Sequence, residues 1–210
     1  MWKVRSSART HEGDTSPVTS LEMRSIRLAK VESHEEAQLW NMLVSQFHYL
    51  HSSRVVGRQI KYLVYAGERP IACIGWGDAS WALKIRDQWI GWTVGGRERR
   101  LHLVINNVRF LILPWVKVKN LASYVLARSR PAILDDWEAK YGFRPLLLET
   151  FVDIQQFQGT CYRAENWLEL GVTSGYAKKG NSHHNSQAPK ALFVYPAARD
   201  AQVQLKGRRI

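Results

Sequence analysis

Apolar positions along this chain follow two periods, and the switches between them mark its elements. Ser25-Ile-Arg-Leu-Ala alternates and predicts a first strand. Ser33-His-Glu-Glu36 fits a capping box, with Ser33 as N-cap and Glu36 at the third helical position. Leu39, Trp40, Leu43 and Val44 then recur on one helical face, and that helix ends near Phe47-His48-Tyr49-Leu50. Ile60 to Tyr65 and Ile71 to Trp76 are β-rich runs around the turn Ala66-Gly-Glu-Arg-Pro70, which predicts a hairpin. Trp81 to Trp92 reads as a short helix or a loop over the sheet, and Arg97 to Arg100 opens a helix or turn.

Arg109 to Leu113 has the character of a central strand that Pro114 stops. Asn120 is placed to cap a following helix, and Ile133 to Tyr141 forms a second helical piece with Gly142 as its C-terminal signal. Leu146 to Val152 is another strand, followed by a short helix carrying Cys161 and Tyr162 and a strand around Trp167 to Leu170. Strands near 104–113 and 146–152 joined by helices imply a parallel crossover. The expected fold is therefore an α/β domain, a mixed sheet with helices on both faces. Residues 1–20 read as a disordered polar leader, 21–172 as the α/β domain, and 173–210 as a basic C-terminal extension with one strand-like patch at Lys190–Pro196.

Composition changes the picture in one respect. The 210 residues are 45% hydrophobic and include nine Trp, enough for a sizeable core. No apolar run approaches the ~20 residues that span a bilayer, and the first residues lack the apolar core of a secretory signal. Two Cys, 73 and 161, make no disulfide framework, and the expected setting is a reducing cytoplasm without a membrane partner. The formal net charge of +12, however, points to polyanionic partners, DNA or RNA first.

Candidate chemistry concentrates between Glu149 and Trp167. Glu149 and Asp153 lie four apart on a strand and share a face, the spacing of an acid/base or divalent-metal pair to which Asp135, Asp136 or Glu165 would add a third carboxylate. The alternative is an ion pair of Glu149 with Arg144 or Arg163 and a cap made by Asp153. Cys161 is a candidate nucleophile if His48 or His102 approaches it, and otherwise a small buried filler. Arg97, Arg99, Arg100, Arg109, Arg163, Lys117, Lys119, Lys178 and Lys179 form a candidate phosphate-contacting set. Trp76, Trp89, Trp92 and Trp115 lie among them as base-stacking platforms or core. Asn106-Asn107 either read a base edge or tie two strands together. Walker, HExxH and zinc-finger spacings are missing, which sets those three classes aside.

Two resemblances add to this. The element order and the run Lys117-Val-Lys119-Asn120-Leu121-Ala122-Ser123 resemble the Gcn5-related N-acetyltransferase (GNAT) fold, whose corresponding loop and helix N-terminus bind the pyrophosphate of an acyl-CoA. Asn120 stands where that family has Gly. Tyr162, five residues before Trp167, resembles that family's general acid. The resemblance implies acyl-CoA as cofactor, residues 119–123 as its binding loop and Tyr162 as proton donor.

The longer motifs Leu39-Trp-Asn…His48-Tyr-Leu50, Gly57-Arg-Gln…Tyr62-Leu-Val64, Trp89-Ile-Gly-Trp92, Asn106-Asn107…Arg109 to Pro114 and Glu149 to Trp167 resemble the DruA family of the Druantia anti-phage system, a family also found beside transposases. His51 stands where Gly is usual there. That resemblance implies a defence or mobile-element setting, with DNA, other defence proteins or transposases as partners, and no particular reaction. Three functions are thus carried forward: a nucleic-acid-associated defence protein, an acyltransferase and a metal-dependent nuclease.

Overall fold

The capping box forms as the sequence predicts. Ser33 Oγ accepts from the Glu36 amide at 3.1 Å, and Glu36 Oε2 accepts from the Ser33 amide at 3.0 Å. They open α1 (His34–Phe47). The structure, a computed structural model, describes residues 3–6, 9–12, 14–173, 176–179, 182–185 and 188–207; 3–6, 9–12, 176–179 and 182–185 are described as backbone only. Most of the expected leader, and the side chains of Lys178 and Lys179, lie outside the fully described residues.

In chain order the strands are β1 (Lys3–Ser6), β2 (Arg9–Glu12), β3 (Ile26–Lys30), β4 (Gln59–Ala66), β5 (Arg69–Asp78), β6 (Val104–Ile112), β7 (Leu147–Asp153), β8 (Leu168–Val172), β9 (Tyr176–Lys179), β10 (Ser182–Asn185) and β11 (Lys190–Pro196). The remaining helices are α2 (Lys84–Ile90), α3 (Val94–Arg100), α4 (Leu121–Tyr141), α5 (Thr160–Ala164) and α6 (Ala201–Lys206). The strand order in the main sheet is β3-β4-β5-β6-β7-β11-β8. The chain forms two units, Met1–Gly77 with Val108–Ile133, and Asp78–Asn107 with Leu134–Ile210. Both β6 and α4 contribute residues to each.

In the first unit β3, β4 and β5 are successive antiparallel neighbours, with Leu28 opposite Val64 and Leu63 opposite Cys73. The predicted hairpin is therefore present. α1 buries Leu39, Trp40, Leu43 and Val44, and these pack with Leu63, Ile71, Leu113 and Val125 in one core. Trp40 Nε1 donates to the Ile74 carbonyl at 3.3 Å. Gly75 makes room for that ring, since a Cβ there would meet it at 2.8 Å.

In the second unit Val104–Asn107 pairs parallel with Leu147–Thr150. This is the predicted crossover. β11 runs antiparallel to β7 on one side and to β8 on the other, with a register irregularity between Leu192 and Phe193. Its run Ala191-Leu-Phe-Val194 is buried throughout, the pattern of a strand covered on both faces. Alternation separates those faces. Leu192 and Val194 pack with Ile90 of α2 and Leu205 of α6, while Phe193 stacks on Tyr162 of α5.

Two boundaries differ from the sequence expectation. The helical pieces on either side of Pro131 are one 21-residue helix, α4, which continues through the proline. Asn120 precedes that helix at φ 62°, in the left-handed region rather than the extended conformation of an ordinary N-cap.

Candidate functional site

Glu149 sits in the middle of β7 with no exposed surface, and burial pushes its carboxyl up. The chain answers with Arg86, equally buried on α2, whose Nη1 lies 3.0 Å from Glu149 Oε2 and 3.3 Å from Oε1. The Ser80 amide donates to Oε1 at 3.1 Å. Both interactions pull the carboxyl back toward its ionised form. Arg86 also reaches Asp87 Oδ1 through Nε and Nη2, and Arg97 Nη1 donates to Asp87 Oδ2 at 3.1 Å. Two carboxylates and two guanidiniums thus form one network. Sequence reasoning expected Arg144 or Arg163 as the partner of Glu149. Instead Arg144 pairs with Asp135 and Glu138, and Arg163 with Glu169. Arg86 was missed because nothing local marks a helical Arg in Lys84-Ile-Arg-Asp87 as buried.

Asp153 ends β7 and organises the turn after it. Its Oδ1 accepts from the Gln155 amide at 3.0 Å and its Oδ2 from Gln156 Nε2 at 3.2 Å. The sequence suggests a helix cap at Asp153; the side chain instead closes a turn, and the next helix, α5, begins later with Gly159 as its N-cap. Among the described residues no group of three or more His, Cys, Asp and Glu is arranged to hold a metal ion.

Tyr162 lies on α5, whose Gly159 N-cap adopts φ 70°. Its hydroxyl donates to Asn107 Oδ1 at 2.8 Å, and Thr150 Oγ1 donates to the Asn107 carbonyl at 3.0 Å. Asn107 and Thr150 are the last registered pair of the β6–β7 ladder, so the phenol is held where that pairing stops. Trp167 packs edge-on against the Tyr162 ring at 5.2 Å. Asn107 therefore ties strand to helix. Its neighbour Asn106 buries an Oδ1 that meets no donor among the described residues. Cys161, beside Tyr162, has its thiol raised to about 11 by burial, which keeps it protonated at neutral pH. The suggested base His102 instead stacks edge-on with Phe143.

In the other unit His48 caps α1 and is 5% exposed. Its Nδ1 accepts from the Leu50 amide at 3.2 Å. Burial, with Arg109 and His51, lowers its pKa to about 4. An unfolded His titrates near ~6.5, so the unfolded chain takes up a proton that the native chain refuses. The resulting stability is complete above about pH 6.5 and is lost as pH falls toward the folded value. Acidification from pH 7 to 4.5 is expected to cost about 2 kcal/mol through this group. Urea titrations at both pH values should show that loss in the wild type and a smaller one in His48→Phe.

The candidate phosphate-contacting residues take different roles. Arg97 is committed to Asp87 and lies over Trp81, Arg163 bonds the Gln158 carbonyl as well as Glu169, and Arg109 donates to the Ser52, Arg54 and Val108 carbonyls. Arg99, Lys117 and Lys119 are exposed, and Arg100 packs beside Gly207. Trp76 and Trp115 are core residues, and Trp92 donates to the Leu205 carbonyl. Among the described residues the most exposed tryptophan is Trp81, at 61%.

The loop Lys117–Asn120 leads into α4. Asn120 is left-handed, Ser123 Oγ and the Tyr124 amide both donate to its carbonyl, and Leu121 turns into the core. Ala122 and Ser123 stay partly exposed. This backbone has the shape that a glycine gives at that point, and Asn is among the few residues that adopt it readily.

Comparison with known proteins bears on both resemblances. A family model described as Druantia protein DruA matches residues 10–186. The acetyltransferase of GNAT family from Streptococcus pneumoniae is similar in structure, with 12% identity, TM-score 0.51, and coverage of 81% of this chain and 99% of that one. An N-acetyltransferase from Staphylococcus aureus Mu50 gives 12% identity, TM-score 0.47, and coverage of 81% and 97%. FeeM, an N-acyl amino acid synthase from uncultured soil microbes, gives 14%, 0.48, and coverage of 81% and 89%. The S. pneumoniae likeness shows the fold, a GNAT-like mixed sheet. No curated protein matches. No helix of the described residues is long and apolar enough to cross a membrane.

Proposed function

Because the chain belongs to the DruA family, an anti-phage defence family, and carries a GNAT-like fold, we propose that it is an acyl-CoA-dependent N-acyltransferase. The observation that carries the reading is the left-handed Asn120 at the mouth of α4. The replacement of Gly by Asn raises the concern that a side chain blocks the approach of a pyrophosphate to the backbone. In the left-handed conformation the backbone keeps the path a glycine would follow. The first turn of a long helix then presents amide groups and the positive end of its dipole to the phosphates. The exposed Lys117 and Lys119 add positive charge. These groups fit a CoA pyrophosphate. Acyl-CoA supplies the activated thioester. Tyr162, fixed by Asn107, is the proton donor in this reading.

Thermal denaturation with acetyl-CoA tests it. The wild type should be stabilised at millimolar ligand. Asn120→Gly should keep that response, whereas Asn120→Val, β-branched and excluded from the left-handed region, should weaken binding at least tenfold. No acetyl-CoA response in the wild type, or an undiminished one in folded Asn120→Val, defeats the proposal.

A second reading, a nucleic-acid-associated defence protein, is favoured by the net charge of +12 and the exposed Arg99, Lys117 and Lys119. Retention of a short duplex near physiological salt would support it, and its absence would remove it.

A further inference from the structure

A single exposed apolar residue is ordinary on a protein surface. Trp81, 61% exposed, differs in what holds it. Ser80, the residue before it, has both backbone groups fixed inside the second unit. Its amide donates to Glu149 Oε1 at 3.1 Å, and its carbonyl accepts from Arg86 Nη1 at 2.9 Å. Those two charged side chains have no exposed surface. From the other direction, Arg86 bonds Asp87 Oδ1 and Arg97 bonds Asp87 Oδ2. The Arg97 guanidinium then returns to the Trp81 ring, 5.6 Å from its centroid. The buried ion network thus ends at one surface ring, which it grips through the adjoining backbone and through one face.

A ring fixed in this way has little freedom left to lose when a flat partner settles on its open face, so the cost of binding is low. The surroundings set the chemistry of that partner. α3 carries Arg97, Arg99 and Arg100 against the one acid Glu98. Lys84, exposed at the start of α2, follows Trp81 within ~10 Å of backbone. Asp87 is neutralised by two guanidiniums, and the whole chain has a net charge of +12. An indole among cations suits a flat aromatic group that carries negative charge beside it, the form of a nucleobase on its phosphodiester backbone. The bases of a duplex are already stacked on one another, so Trp81 can receive only an unpaired base. The tryptophans that the sequence offers for this task are taken up elsewhere. Trp76 and Trp115 are buried, and Trp89 and Trp92 pack against the core of the second unit.

The geometry points to Trp81 as a stacking site for an unpaired base of single-stranded nucleic acid, with Arg97 backing the ring and Lys84 as a phosphate contact. This rests on the nucleic-acid reading above and names the form of the strand and the residue that receives it.

The probe is a short labelled oligothymidylate, compared with a duplex of the same length near physiological salt. In fluorescence anisotropy the wild type should hold the strand more tightly than the duplex. Trp81→Ala should weaken strand binding at least tenfold and leave duplex binding and the salt dependence unchanged, because the indole carries no charge. Trp81→Tyr keeps an aromatic face and should retain most of the affinity. Arg97→Gln should weaken strand binding severalfold and Arg97→Lys should restore it, since either cation can back the ring. In protein carrying fluorotryptophan, the fluorine signal lost in Trp81→Tyr belongs to residue 81 and should shift when the strand is added. If the wild type holds neither strand nor duplex, the nucleic-acid reading falls and this site with it. If it binds without preferring the strand, or if Trp81→Ala holds the strand as the wild type does, that reading stands and the Trp81 site is refuted. A residue 81 signal that moves equally with thymidine monophosphate would make the ligand a free nucleotide, which also overturns the proposal.

Discussion

Arg86→Met should destabilise the protein by about 3–5 kcal/mol, the cost of leaving a buried carboxylate without its cation. Arg86 and Glu149 both have no exposed surface, so water cannot take over when the guanidinium goes. The Ser80 amide would remain on Glu149 Oε1, but one neutral hydrogen bond does not replace a two-oxygen contact with a cation. Asp87 would keep Arg97 and lose less. A domain's whole stability is only about 5–15 kcal/mol, so the single variant will stand near its unfolding threshold. The combination Arg86→Met with Glu149→Leu should recover most of the loss, since removing both charges leaves an apolar core. Urea unfolding of the two variants measures this. A loss below about 1 kcal/mol for the single change would show that Glu149 is content without Arg86.

Gly159→Ala should cost about 2–5 kcal/mol, from two sources that add at the same atom. The residue adopts φ 70°, where a Cβ carries about 1–2 kcal/mol of strain. That Cβ would also lie 2.7 Å from the Phe193 ring, which is fully buried on β11 and cannot swing away. Overpacking a rigid ring costs about 1–3 kcal/mol more. Phe193 stacks on Tyr162 at 5.7 Å, so the displacement should reach the phenol held by Asn107. Denaturant unfolding gives the energy, and a changed tyrosine environment in near-ultraviolet circular dichroism reports the coupling. An alanine variant as stable as the wild type would mean that β11 and α5 adjust to each other freely.

These effects mark the limit of what the chain discloses by itself. The hairpin of β4 and β5, the capping box of α1 and the left-handed Gly142 are local, written in residues a few positions apart. The parallel pairing of β6 and β7 follows from two apolar runs with a helix between them. The partner of Glu149 does not follow, because Arg86 is 63 positions away and the nearer arginines find acids of their own. The sequence shows Asn120 and His51 at positions where the resembling families have Gly, but not that both take the left-handed conformation, φ 62° and 45°. The pairing of Lys61 with Gly75, and the place of Arg109 beside that glycine, were equally hidden, since register is fixed only once the strands pair. The single continuous α4 shows tertiary packing overriding the break that Pro131 suggests.

The position of β11 has a consequence for how the protein is made. Strands β7 and β8 are synthesised before β11, yet β8 meets the sheet only through it, and β7, paired with β6 on one side, has β11 on the other. Until Pro196 has left the ribosome, β7 shows a bare hydrogen-bonding edge and Phe193 is not there to receive Tyr162. A nascent chain in that interval is a template for the wrong neighbour, and interrupted translation would release it in that state. The gap between β7 and β8 is thus closed by a strand made after both of them.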